Sequence, residues 1–237
     1  MPIICILLTV ALHRKWQILQ LDVSNAFLHG DLSEDIYMRQ PIGFVDPKAP
    51  KSLGNISLFL GIQVVSQPTR LFLTQQHYAE QIIQESGLAD CNPSPTPFPP
   101  KANRPSSPSE PFSEPTLYRR LAWSLQYLSI TRPDIAFATN QICQHMHQPT
   151  VQDFQSLKRL LRYIKGTISF SLPLTTGELT LQTYTDVDWA SDSSDRKSIS
   201  GFYTFLGPNL VSWSVKKQVT VAKSSTEAEY RSLSAAT

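Results

Sequence analysis

Nine of the eighteen prolines in this 237-residue chain lie between Pro93 and Pro115, in CNPSPTPFPPKANRPSSPSEPFSEP. Each proline lacks an N–H and has φ fixed near about −65°, so this stretch cannot form a regular helix or an interior strand. It is a linker or an extended wrapping strand, and it divides the chain into an N-terminal part, 1–92, and a C-terminal part, about 116–237. No internal repeat is visible on either side. A hydrophobic content of 41% allows ordinary buried cores in one or two domains.

A net charge of +2 is compatible with a polyanionic partner but far from the footprint of a dedicated nucleic-acid binder. The three cysteines, Cys5, Cys91 and Cys143, lie far apart and form no CxxC pair. That argues against a disulfide framework and a zinc site, and an intracellular compartment, cytoplasmic or nuclear, is expected. The opening MPIICILLTVALHRKW is apolar, yet it lacks a basic leader and is too short to span a bilayer. No membrane association is expected.

Before the proline segment, the patterning predicts a helix over Ile3 to Trp16 and a short strand in LQLDVSNAFLHG. A strand is predicted over Ile56 to Val65, with Leu71 to Leu73 as its partner. A helix then runs from a Thr74 cap to Gly87, with Tyr78, Ile82 and Ile83 inward. After the proline segment, Leu117, Leu121, Leu125 and Leu128 recur at helical spacing, and Pro133 with Asp134 opens another helix through Met146. A third starts at Thr150, whose Asp153 completes a capping box, and stops at Gly166, with Phe154, Leu157, Leu161 and Ile164 buried. Leu179 to Thr185, Gly201 to Leu206 and Leu210 to Val215 read as an antiparallel meander, with a helix from Ser224 to Ala236 behind it. The expected fold class is α/β or mixed α+β.

Five blocks resemble the Pol polyprotein of copia-type LTR retrotransposons. QLDVSNAFLHGDLSEDIYMRQPIGF is similar to the reverse transcriptase block that carries the first palm aspartate, here Asp22. LFLGIQVVSQPTRLFLTQQHYAEQIIQESGLADCNPSPTP resembles the end of the same domain, and YRRLAWSLQYLSITRPDIAFATNQICQHMHQPT the connection after it. FQSLKRLLRYIKGT and the stretch from YTDVDWAS to STEAEYRSLS resemble the approach to, and first half of, an RNase H domain. The resemblance implies a partial reverse transcriptase segment over 1–92, a linker over 93–115, a helical connection over 116–177 and the N-terminal half of an RNase H-like domain over 178–237. The family's Tyr-X-Asp-Asp hairpin and its later Asp-Asn segment have no counterpart. An internally deleted and truncated copy is therefore expected.

In such a family both activities run on two divalent metals, Mg²⁺, held by carboxylates. The resemblance makes Asp186 the ligand bridging both metals and Glu229 a ligand of one, while Asp22 is what remains of the polymerase set. Asp188 would share a strand face with Asp186 and lend weak support; a turn-capping aspartate is the competing reading. With these sets incomplete, neither polymerization nor cleavage is expected. The implied partner is an RNA–DNA hybrid or another nucleic acid. The candidate contacts are Lys158, Arg159, Arg162 and Lys165 on one helix, and Lys216 with Lys217 after Trp213. The plainer alternative for the helix is a solvated basic end that favours the helix dipole. Two rivals stay open: an RNase H completed by a second chain, and a non-enzymatic nucleic-acid-binding or interaction protein.

Overall fold

The computed structural model describes residues 1–21, 52–99, 110–192 and 194–236. Helix α1 (Pro2–His13) precedes β1 (Leu19–Leu21), which pairs with β2 (Ser52–Asn55). Then follow β3 (Leu58–Phe59), β4 (Ile62–Gln67), β5 (Arg70–Thr74) and α2 (Gln76–Glu85). Beyond the proline segment come α3 (Pro115–Leu128), a 3₁₀ turn (Pro133–Ile135), α4 (Ala136–Gln144) and α5 (Val151–Gly166). The chain continues through β6 (Leu172–Thr175), β7 (Leu181–Asp188), β8 (Ile199–Leu206), β9 (Asn209–Lys217) and α6 (Ser225–Ala236). The structure is thus mixed α/β with antiparallel sheets, ordered β3-β4-β5-β6 and β7-β8-β9.

Period-2 patterning gives the first of these sheets one apolar face. Ile62, Val64, Leu71, Leu73, Leu172 and Leu174 are all buried, and Cys5 and Leu8 of α1 cover them together with Val211 of β9. Each large aliphatic side chain buried there is worth about 1.5–3 kcal/mol relative to exposure. The same burial pushes the Cys5 thiol up to about 11, leaving it an inert packing group. A second core is helical: Ala79, Ile82 and Ile83 of α2 pack with α3, α4 and α5 through Tyr118, Leu121, Leu125, Ile142, Leu157 and Leu161. Both cores draw residues from both sides of the proline segment.

The Thr150 capping box forms as expected: Asp153 N–H donates to Thr150 Oγ1, and Thr150 N–H donates to Asp153 Oδ2. Several expectations need correcting. The single strand over Ile56 to Val65 is broken into β3 and β4 by a tight turn at Leu60 and Gly61, both with positive φ. A Cβ on Gly61 would lie 2.6 Å from the Tyr127 hydroxyl, which donates to the Leu60 carbonyl. Gly166 does not stop α5 by left-handed geometry. It is the last helical residue, and a Cβ there would meet Pro93 Cβ at 2.9 Å, so its smallness admits the proline segment against the helix. Trp16, Trp123 and Trp189 are exposed.

The two ends of the proline segment wrap onto α5. Ser94 N–H donates to the Arg162 carbonyl. Further along, Pro111 bridges Thr150 and Phe112 stacks on Phe154 at 4.1 Å. Residues 100–109 lie outside the described residues. No described helix is long and apolar enough to cross a membrane.

Candidate functional site

β7 and α6 carry the three carboxylates singled out at the C-terminal end. Asp186 sits in β7 opposite Gly201 of β8, and Asp188 closes the strand opposite Ile199. α6 lies over β7 through small side chains: Ala228 and Ser232 are buried one turn apart, and Ser232 Oγ donates to the Asp186 carbonyl at 3.2 Å. That register decides where Glu229 goes. One residue on from Ala228 is about 100° around the helix, so Glu229 faces solvent. Asp186 is likewise exposed. The helix start is held by Glu227, whose N–H donates to Ser224 Oγ and whose carboxylate accepts from the Lys223 N–H at 2.7 Å. Glu229 takes no part in that cap.

A two-Mg²⁺ centre needs several carboxylates converging on one point. Among the described residues no group of three or more His, Cys, Asp or Glu side chains is placed to hold a metal ion. Asp186 and Glu229 both face solvent, and with Asp188 they form no such group among the described residues. Asp22 lies outside the described residues.

Lys217 is tied down. Its ammonium meets Asp192 Oδ2 at 2.6 Å and Asp195 Oδ2 at 3.0 Å, closing the 189–198 loop onto β9. Burial alone would push the Asp192 carboxyl up, but hydrogen bonds from Lys217 and from the Ser194 hydroxyl and N–H hold it far below the usual carboxylate range. A carboxyl depressed in the folded state stabilises fully above its unfolded pKa of about 3.9, and that stability is lost as pH falls through the folded value. Asp192→Asn is therefore expected to flatten the acid limb of stability below about pH 4, read from urea midpoints of variant and parent across the pH range. An unchanged acid limb would exclude this ion pair as a contributor. Lys216, by contrast, is exposed.

The α5 cations divide in the same way. Arg162 Nε donates to the Asn92 carbonyl at 2.6 Å, and Lys165 Nζ donates to the carbonyls of Ala89 and Cys91. Arg159 Nη2 donates to Thr96 Oγ1 at 2.7 Å. In this structure these three side chains hold the start of the proline segment to the helix. Lys158 is exposed, with Nζ 4.8 Å from the centre of the Phe154 ring.

Sequence reasoning missed two polar side chains that organise the structure. Arg132, 3% exposed, makes a bidentate pair with Asp134 at 2.9 and 2.7 Å. It also donates to the carbonyl and hydroxyl of Thr167, just past the end of α5. Its guanidinium lies 5.2 Å from the Phe170 ring centre. Asn209, 1% exposed, opens β9 and presents its amide to β6 as a peptide group would: Nδ2 donates to the Thr175 carbonyl at 2.8 Å and Oδ1 accepts the Thr175 N–H at 2.6 Å. The one sequence signal for either was an Arg or an Asn next to a turn proline.

Comparison with known proteins adds to this geometry. The family described as reverse transcriptase (RNA-dependent DNA polymerase) matches residues 1–52. An uncharacterized mitochondrial protein of Arabidopsis thaliana is 50% identical over 184 residues, covering 77% of this chain and 76% of that protein. The retrovirus-related Pol polyprotein from transposon RE1 of Arabidopsis thaliana is 33% identical over 313 residues, covering 96% of this chain and 21% of that polyprotein. That alignment is longer than the chain itself, so the relative carries residues with no counterpart here. The retrovirus-related Pol polyprotein from transposon TNT 1-94 of Nicotiana tabacum is 32% identical over 215 residues, 86% of this chain and 15% of that polyprotein. No solved structure matches the chain. Matched in this way across nearly its whole length, the chain belongs to the Pol polyprotein family of copia-type LTR retrotransposons.

Proposed function

We propose that this chain is a remnant of a retrotransposon Pol polyprotein, ancestrally an RNA-directed DNA polymerase with RNase H cleavage of RNA–DNA hybrids, that catalyses neither reaction by itself. The observation that carries the reading is in the sequence: no two aspartates are adjacent anywhere in its 237 residues, so the palm pair has no counterpart. The RNase H-like half, 178–237, is read from the β7-β8-β9 meander with α6 packed on it. There Asp186 and Glu229 stand as ancestral ligands without a converging third carboxylate among the described residues. Any contact with a hybrid would rest on weak charge attraction through exposed Lys158 and Lys216.

The test is the purified full chain with Mg²⁺, a labelled RNA–DNA hybrid and, separately, a primed template with labelled nucleotides. Cleavage and incorporation are expected to equal those of the Asp186→Asn and Asp22→Asn variants. Mg²⁺-dependent turnover lost in either variant overturns the reading. One observation favours a second reading, an RNase H completed by another chain. Among the described residues β7 pairs only with β8, and Leu181, Tyr184, Tyr230 and Leu233 are exposed on β7 and α6. Hybrid cleavage that appears only when a chain carrying the family's remaining strand and aspartate is added, and that needs Asp186, would establish it.

A further inference from the structure

We propose that the cleft between α5 and the helices α3 and α4 binds a small ligand with an aromatic or apolar body and one phosphate or carboxylate group. The cleft encloses about 630 Å³, within the size range of small-molecule sites. Its lining combines apolar side chains, Leu88, Phe98 and Ile142, with the cations Lys158, Arg159 and Arg162. Phe98 is fixed edge-to-face against Phe137, with ring centres 5.8 Å apart.

Two of the three cations are held in place by hydrogen bonds. Thr96 anchors one arm of Arg159, and the Asn92 carbonyl anchors Arg162. Among the described residues Arg159 Nε is buried without a hydrogen-bond partner, one of several such side-chain atoms and the one that lies in this cleft's lining. Among the described lining residues the one carboxylate is Asp153, whose Oδ2 accepts from the Thr150 N–H and hydroxyl at 2.9 and 2.7 Å, against three cations. An anion beside Arg159 would satisfy the orphaned N–H, while the apolar side chains would accept the ligand's body. This site is separate from Asp186 and Glu229 and does not depend on their ancestral chemistry.

Calorimetric titration of the purified full chain with 1-naphthyl phosphate, 1-naphthol and inorganic phosphate tests this. The expected result is saturable 1:1 binding of naphthyl phosphate, at least about tenfold tighter than either component. Lys158→Gln and Arg159→Gln should each weaken it by about tenfold, and Ser156→Trp, which fills the cleft, should abolish it. Lys216→Gln on β9 should leave it unchanged, and the melting curve of each variant reports that it is folded. Several results would overturn the proposal. They are absence of saturable binding, binding of phosphate alone with equal affinity as an adventitious ion only, or binding that survives Ser156→Trp in a folded protein. Displacement of naphthyl phosphate solely by oligonucleotide, through cations that Ser156→Trp does not affect, would assign those cations to nucleic-acid contact instead.

Discussion

Arg132→Met is expected to lower the unfolding free energy by about 3–5 kcal/mol, because removing one member of a buried ion pair leaves the other charge uncompensated. Arg132 has no redundancy: its guanidinium is shared between the Asp134 carboxylate and the carbonyl and hydroxyl of Thr167, at distances of 2.7 to 2.9 Å. The loss therefore strikes two places, the entry to α4 and the exit of α5. Asp134 keeps a hydrogen bond from the Tyr163 hydroxyl at 3.1 Å and its side chain is 31% exposed, so water recovers part of the cost and the lower end of the range is favoured. Arg132→Lys should recover little, since an ammonium cannot reproduce the planar fork. Pairing Arg132→Met with Asp134→Leu should restore much of the stability, because the stranded carboxylate is then gone. Urea midpoints of the four proteins in this cycle give the answer; a single-variant loss under about 1 kcal/mol would show that the pair holds nothing together.

Asn209→Asp should cost about 2–4 kcal/mol at neutral pH while preserving side-chain shape almost atom for atom. The Thr175 N–H would still find an oxygen, but the Thr175 carbonyl, which now accepts from Nδ2 at 2.8 Å, would face a second acceptor in a buried site. Protonating the new carboxyl restores a donor, so its folded pKa must lie above the unfolded value of about 3.9. The penalty is then absent below about pH 4 and grows as pH rises. Stability relative to the parent protein, compared at pH 4 and pH 7, checks this. A gap that does not depend on pH would mean that packing, not the amide pair, joins β6 to β9.

Elements specified by neighbouring residues were legible in the sequence. Thr150 and Asp153 are three positions apart, and their capping box forms; Leu121, Leu125 and Leu128 of α3 repeat on one face and are buried, with Leu117 half-buried. The meander strands pair each with the next in sequence, across short connections. What escaped was nonlocal. β6 is four residues long, contains Pro173, and pairs with β5 about a hundred positions earlier, so nothing in its own composition announces it. Gly166 looked like a helix stop because its real partner, Pro93, is distant in sequence. The same limit applied to the candidate site. The resemblance located Asp186 and Glu229, but whether they converge depends on which face α6 turns to the sheet, and Ala228 and Ser232 set that face.

The hold of α5 on the start of the proline segment bears on any polyanion that approaches the helix. Arg162 and Lys165 already donate to neutral carbonyls at Asn92, Ala89 and Cys91. To recruit Lys165, whose ammonium is held by two of those carbonyls, a phosphate backbone must first select the minor population in which residues 89–91 have peeled away. Its apparent dissociation constant is divided by the fraction of molecules in that state, which weakens binding. The segment thus acts as an intramolecular competitor present at fixed effective concentration. Because its contacts are hydrogen bonds to uncharged oxygens, added salt would weaken the incoming strand more than the resident one.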